Sequence, residues 1–273
     1  MNESGGIFTG SVPDGYRQHL QPVIFEPWAH RLLDFVGLMP GQTVLDVATG
    51  TGVVARLAAE RVGAGGRVIA SDIGPGMMAQ MAGDEDPAAA PVETLECPAT
   101  AIRVSDASVD VVLCQQGLPF IPDRVGAARE MRRVLRAGGR VGVAVWLTDA
   151  PLEPFECYGR VLQAEGVPEP FPHAYSEGHS PLTMSVSEVK EALNASGFSD
   201  VVVTTERLEL SWPSVEAAGL GIQGTPYGPA LAGLDADSQS RVMAALAKAM
   251  SSEDGALRPQ VMTSVLGLGW VSG

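Results

Sequence analysis

The chain has 273 residues, 45% of them hydrophobic and 18% charged, and a formal net charge of −14. That length suits one large α/β domain with ample apolar material for a core. The acidic balance argues against a nucleic-acid partner, which needs Lys and Arg to neutralise phosphates, and no apolar run approaches the roughly 20 residues that span a bilayer.

The first residues, MNESGGIFTGSVPDGY, carry no basic region and no long apolar stretch, so they do not read as a secretory signal, and a cytoplasmic location is expected. Helical spacing then sets Ile24, Trp28, Leu32 and Phe35 on one face of a helix over 22–38, with Gly37 placed to end it. Residues 43–48 (TVLDVA) form a short continuous apolar run, as a strand buried on both faces should. A helix follows over Val53–Val62, then a second strand over 67–72 and a helix opening at Pro75. Strands are expected at 91–97 and 108–116, a helix closed by Gly138 and Gly139, and a fifth strand at 140–146. Strands separated this regularly by helices imply a parallel, doubly wound sheet.

Residues 148–183 hold six prolines and four aromatics and read as a cap. The helix–strand rhythm returns with a helix over 185–198 and a strand over 201–210. A Gly- and Ala-rich second cap, 211–257, contains a helix near Ser238–Met250, and a last strand covers 259–270. Cys97, Cys114 and Cys157 are widely spaced, without a CxxC, and read as reduced buried thiols. His19, His30, His173 and His179 show no zinc-like spacing, so no metal is expected. Arg129, Arg132, Arg133 and Arg136 read as a solvated helix face and Asp110 as structural.

The chemistry centres on Asp46-Val47-Ala48-Thr49-Gly50-Thr51-Gly52, with Asp72 ending the next strand. Gly50-x-Gly52-x-x-Ala55 formally satisfies a dinucleotide fingerprint, and an acid about 20 residues later suits a ribose hydroxyl. Asp46 separates two ligands. Beside an anionic pyrophosphate it gains nothing, whereas S-adenosylmethionine (SAM) carries an ammonium and a sulfonium that an acid complements.

VLDVATGTGVVARLA, VIASDIGPGMM, DVVLCQQGLPFIPD and REMRRVLRAGGRVGVAVW occur in that order and resemble the class I SAM-dependent methyltransferases, in particular the small-molecule branch related to quinone-biosynthesis and natural-product enzymes. The resemblance implies a single domain over 1–273 with a Rossmann-like sheet of seven strands, the last antiparallel. Its cofactor-binding core is about 16–147, and helical caps follow strands five and six. It implies SAM as cofactor. Ala48, Gly50 and Gly52 would touch its methionine part, with Thr49 and Thr51 in the same loop. Asp72 would bind the ribose, Ile73 and Met77 would sandwich the adenine, and Ala99 would lie at the adenine edge. Gln115 and Gln116 would lie beside the methionine moiety, and Tyr16 would close over the carboxylate. Pro98 stands where many relatives place an adenine-binding Asp, leaving Thr100 or a backbone carbonyl to substitute.

The expected reaction is O- or C-methylation of a small apolar or aromatic acceptor, in secondary metabolism. The aromatics Phe155, Tyr158, Phe171, Tyr175, Trp212 and Tyr227 are expected around it, and His173 or His179 is the candidate base. No membrane or nucleic-acid partner is expected, and a homodimer is left open. Two alternatives stay open beside this reading: an NAD(P)-dependent oxidoreductase on the same loop, and a SAM-fold enzyme that does not methylate, such as a cyclase.

Overall fold

The computed structural model describes residues 9–83, 86–167 and 182–273. Five strands alternate with helices: β1 (Thr43–Val47), β2 (Arg67–Asp72), β3 (Val92–Glu96), β4 (Val109–Gln115) and β5 (Leu135–Leu147). Three more follow, β6 (Thr183–Met184), β7 (Ser199–Glu209) and β8 (Val261–Trp270). The helices in chain order are α1 (Val12–Gly15), α2 (Glu26–Val36), α3 (Val53–Val62), α4 (Pro75–Met78) and α5 (Arg124–Val134). Then come α6 (Phe155–Ala164), α7 (Val186–Ala195), α8 (Val215–Leu220), α9 (Gly228–Ala232) and α10 (Ala236–Met250).

The strand order is β3-β2-β1-β4-β5-β8-β7, with the two-residue β6 paired to β5. β1 to β5 pair in parallel, and β8 runs antiparallel to both β5 and β7. The expected seven-stranded sheet with its antiparallel last strand is therefore present, extended by β6, which is too short to leave a sequence signal. The order reverses between β1 and β4, which sets a crevice at their carboxyl ends.

Several boundaries differ from expectation. Gly138 and Gly139 do not close α5, because the chain is already extended from Leu135. The pairing with β4 jumps between Val109 and Val111, and the extra residues form an outward loop at Gly138, whose φ is +73°. The first helical region also begins earlier than expected. Tyr16–Phe25 winds widely, with Glu26 N–H reaching back five residues to the Gln21 carbonyl, before α2 tightens to ordinary pitch. Pro22 and Pro27 supply no N–H there, and wide turns of this kind recur at functional sites. Phe35 is only half-buried, and Leu33 and Val36 take its place in the core.

Two apolar layers sandwich the sheet. One holds α5 and α7 against Leu45, Val112, Val143 and Val265. The other joins α2 and α3 to α6, α8 and α10 of the two caps. Phe155, Tyr158, Trp212 and Tyr227 are buried within this second layer, and the Tyr158 hydroxyl donates to the Ala218 carbonyl at 2.5 Å. These cap aromatics pack the two caps together; Phe171 and Tyr175 lie outside the described residues. The arginine cluster is structural too. Arg132 holds the Gly197 carbonyl, Arg133 pins the carbonyls of Ile102 and Val104, and Arg136 pairs with Asp110, which also accepts from the Thr43 amide.

The N-terminal segment is wedged between sheet and cap. A Cβ on Gly15 would fall 2.6 Å from the Gln223 backbone, and one on Gly224 would fall 2.6 Å from the Tyr16 backbone. Contact this close tolerates no side chain at either position. Gly224→Ala should therefore cost about 1–3 kcal/mol, seen as a fall in Tm of a few degrees by differential scanning calorimetry.

Candidate cofactor and acceptor site

The switch point between β1 and β4 is crossed by two touching loops. A Cβ on Gly117, just past β4, would lie 2.4 Å from the Ala48 Cβ. Ala48 and Gln116 both take positive φ, +56° each, a conformation that costs a non-glycine residue roughly 1–2 kcal/mol. Gly50 (φ +57°) and Gly52 (φ +81°) turn the chain into α3. The side chain of Met81 covers Gly52, and the Met77 methyl group lies 3.4 Å from where a Gly50 Cβ would stand.

Within this loop the side chains are tied down. Thr49 donates to Asp46 at 2.5 Å, and Thr51 donates to Gln21 at 2.6 Å, which fastens the loop to the N-terminal helix. Asp46 is 1% exposed and also accepts from the Ala55 amide in the first turn of α3. Asp72 accepts from the Gly50 and Gly74 amides at 2.8 and 2.7 Å. Among the described residues neither acid has a salt-bridge partner. Burial pushes the Asp46 carboxyl up to about 7; the Thr49 hydrogen bond opposes this, and the Asp72 charge adds to it. Asp72 is also raised, chiefly by burial, against the hydrogen bonds from Gly74, Gly50 and Ile73. Tyr16 stands near both acids; burial first, then the charges of Asp72 and Asp46, hold its hydroxyl well above the ordinary phenol range.

At the end of β4, Gln115 donates through Nε2 to the Phe25 carbonyl at 2.9 Å, and Gln116 donates to Ser264 Oγ at 3.1 Å. Both side-chain carbonyl oxygens are buried with no donor among the described residues, and so is the Trp28 indole N–H with no acceptor. Aromatic rings stand close by. Tyr16 stacks on Phe25 (centroids 4.4 Å), and Trp146 meets Phe25 at 6.2 Å and Trp28 edge-on at 5.9 Å.

The loop, both acids, Met77, Tyr16 and the two glutamines thus gather at one edge of the sheet. Ile73 is half-buried just past Asp72. Ala99 is half-buried against the α5-side layer, while Thr100 is exposed in a turn that also contains Pro98. His173 and His179 lie outside the described residues. Sequence reasoning missed Gln21, Met81, Trp146 and Ser264. Met81 stands one turn beyond Met77, and the other three come from distant parts of the chain, where no local pattern marks them. Two buried acids that have no basic partner among the described residues fit a cationic ligand and oppose a pyrophosphate.

Residues 45–143 match a family described as a methyltransferase domain. The chain is 32% identical over 209 residues to nocamycin O-methyltransferase of Saccharothrix syringae, covering 71% of this chain and 72% of that one. The chain belongs to the class I SAM-dependent methyltransferases. It is also 37% identical over 123 residues to the ubiquinone/menaquinone biosynthesis C-methyltransferase of Xanthomonas campestris, 44% of this chain, and spans about half of that relative's length (48%). The phosphoethanolamine N-methyltransferase 2 of Haemonchus contortus, solved with phosphomonomethylethanolamine and S-adenosylhomocysteine, shares the fold at 18% identity. Its TM-score is 0.55 over 90% of this chain and 53% of that one. This methyltransferase is an enzyme whose cofactor is SAM, and the nicotinamide reading is not favoured. No described helix is long and apolar enough to cross a membrane.

The raised carboxyl of Asp46 gives a signed test. A cationic ligand favours the ionised acid, so binding at low pH must release its proton. Affinity for SAM should be about tenfold weaker at pH 6 than at pH 8, and Asp46→Asn should flatten that dependence in calorimetric titration. The ligand-free fold should show the opposite trend. An acid whose folded pKa is raised adds stability below its unfolded value near 3.8, and that contribution is lost as pH rises through about 7.

Proposed function

We propose that this methyltransferase methylates oxygen or carbon on a small apolar or aromatic acceptor in secondary metabolism. The observation that carries this reading is the cluster of Tyr16, Phe25, Trp28 and Trp146 next to the cofactor loop. Ligand sites of this kind are mostly apolar, with a few placed polar groups. The activities for which the two sequence relatives are named, O-methylation and C-methylation, support the same choice of acceptor atom. The formal charge of −14 supports a free small molecule as acceptor over a nucleic acid.

In this reading Asp46 and the backbone at Ala48, Thr49, Gly50, Thr51 and Gly52 receive the methionine end of SAM, and Tyr16 and Gln115 close over it. Asp72 takes the ribose diol. Ile73, Met77, Ala99 and Thr100 border the adenine, and Met81 joins them over the loop. When bound, SAM would supply a methyl carbon open to in-line attack by the acceptor's electron pair, with S-adenosylhomocysteine leaving and keeping the C–S bonding pair. The chain's part is alignment and exclusion of water, and well-oriented reactants can gain roughly 7–11 kcal/mol. His173 or His179 is proposed to take the acceptor's proton. A cytoplasmic enzyme, monomeric or a homodimer, completes the reading.

Titration with SAM, S-adenosylhomocysteine and NADH tests the site. The two adenosyl ligands should bind and NADH should not. Asp72→Ala should weaken SAM by about ten- to a hundredfold, the loss of one or two charge-assisted hydrogen bonds, and wild-type affinity in that variant would overturn the ribose assignment. With an acceptor in hand, replacing the proton-accepting histidine by Ala should lower kcat by about 10²–10⁴-fold.

A further inference from the structure

Gln115 and Gln116 are adjacent, both at least nine-tenths buried, and each has one free carbonyl oxygen, yet their amides hold different partners. Gln115 ends β4 on the face that carries Leu113, and its amide holds the Phe25 carbonyl of the N-terminal helix. That helix presents Tyr16 to Asp46 and Asp72, on the β1–β2 side of the switch point. Gln116 is held by β5 and β8. Its backbone N–H bonds the Ala144 carbonyl of β5 at 2.7 Å, and its side chain crosses β5 to reach Ser264 on β8. Ser264 is fully buried and is the cross-strand partner of Trp146, whose ring belongs to the aromatic cluster.

We propose that the Gln116 side-chain carbonyl accepts a hydrogen bond from the hydroxyl of the methyl acceptor, beside Trp146, while Gln115 serves the cofactor. The inference rests on the apolar, aromatic acceptor proposed above and adds to it a hydroxyl group. A buried amide oxygen with no donor is costly to keep, so its retention points to a donor that arrives with a ligand. Ser264 fixes the amide by accepting from Nε2, which leaves Oε1 as the free end. The strained φ of Gln116 is what aims the side chain across β5 rather than back along β4. An amide oxygen is no base at working pH. Its task is to orient the hydroxyl so that the oxygen's other lone pair faces the methyl group.

The test uses 2-naphthol and naphthalene, one ring system with and without a hydroxyl, titrated by fluorescence into protein saturated with S-adenosylhomocysteine. The wild type should bind 2-naphthol about tenfold more tightly than naphthalene, the scale of one buried hydrogen bond. Gln116→Asn suits the left-handed backbone but withdraws the carbonyl by one methylene. It should bring the two affinities within about twofold and leave S-adenosylhomocysteine binding unchanged. Ser264→Ala, which frees the amide to rotate, should lower the preference at least threefold, and it decides the matter alone if the Asn variant fails to fold. A preference that survives in the variants, or none in the wild type, overturns the role of Gln116. Tenfold loss of S-adenosylhomocysteine affinity in Gln116→Asn reassigns that residue to the cofactor and overturns it too. Failure of the wild type to bind either naphthalene removes the aromatic acceptor itself and, with it, this inference.

Discussion

The arrangement depends on a carboxylate that the fold keeps out of water without a cation. Asp46, next to last in β1, is almost fully buried, and its acceptors are met by a hydroxyl and an amide rather than by Lys or Arg. Those bonds hold the side chain in place but leave its charge uncompensated, so burial dominates and the proton is held more tightly. Asp72 adds a second negative group across the same loop. A site of this charge repels phosphates and rewards a positive ligand. In the proposed reading, the same glycine turn that elsewhere cradles a pyrophosphate serves a sulfonium compound.

Rigidity around that charge comes from parts of the chain that share no local pattern. Thr51 ties the loop to Gln21, Gln115 ties β4 to Phe25, and the Gly15–Gly224 contact clamps the N-terminal segment under the second cap. Each tie recruits the N-terminal helix, whose wide winding sets Tyr16 and Phe25 over the crevice. The cap aromatics contribute from a distance. Their rings fill the interior between α6, α8 and α10, while Tyr16, Phe25, Trp28 and Trp146, from the N-terminal helical region and the end of β5, form a separate ring cluster.

The order of strands also sorts the chemistry. Acids and glycines occupy the ends of β1 and β2, while Gln116, Trp146 and Ser264 lie over β4, β5 and β8. Tyr16 joins the two groups, standing beside both acids and stacking on Phe25. Such an arrangement suits a reaction in which a charged donor must meet an apolar partner in a fixed line.

The sequence by itself determined the sheet, the loop and the cofactor. Period and punctuation marked β1, β2 and α3 to within a residue, because a strand buried on both faces and a glycine turn leave strong local signals. The positions of Asp46 and Asp72 were legible because both lie within one βαβ unit. The extended start of β5 was not legible, since Leu135–Gly139 carries helix-ending chemistry yet pairs beside Val109. Only the tertiary structure decided which aromatics face the crevice, that Thr51 is a strut to Gln21, and that Gln116 points to β8. Those outcomes join residues 30 to 148 positions apart. No local preference encodes such distances; they follow from how the two apolar layers close around the sheet.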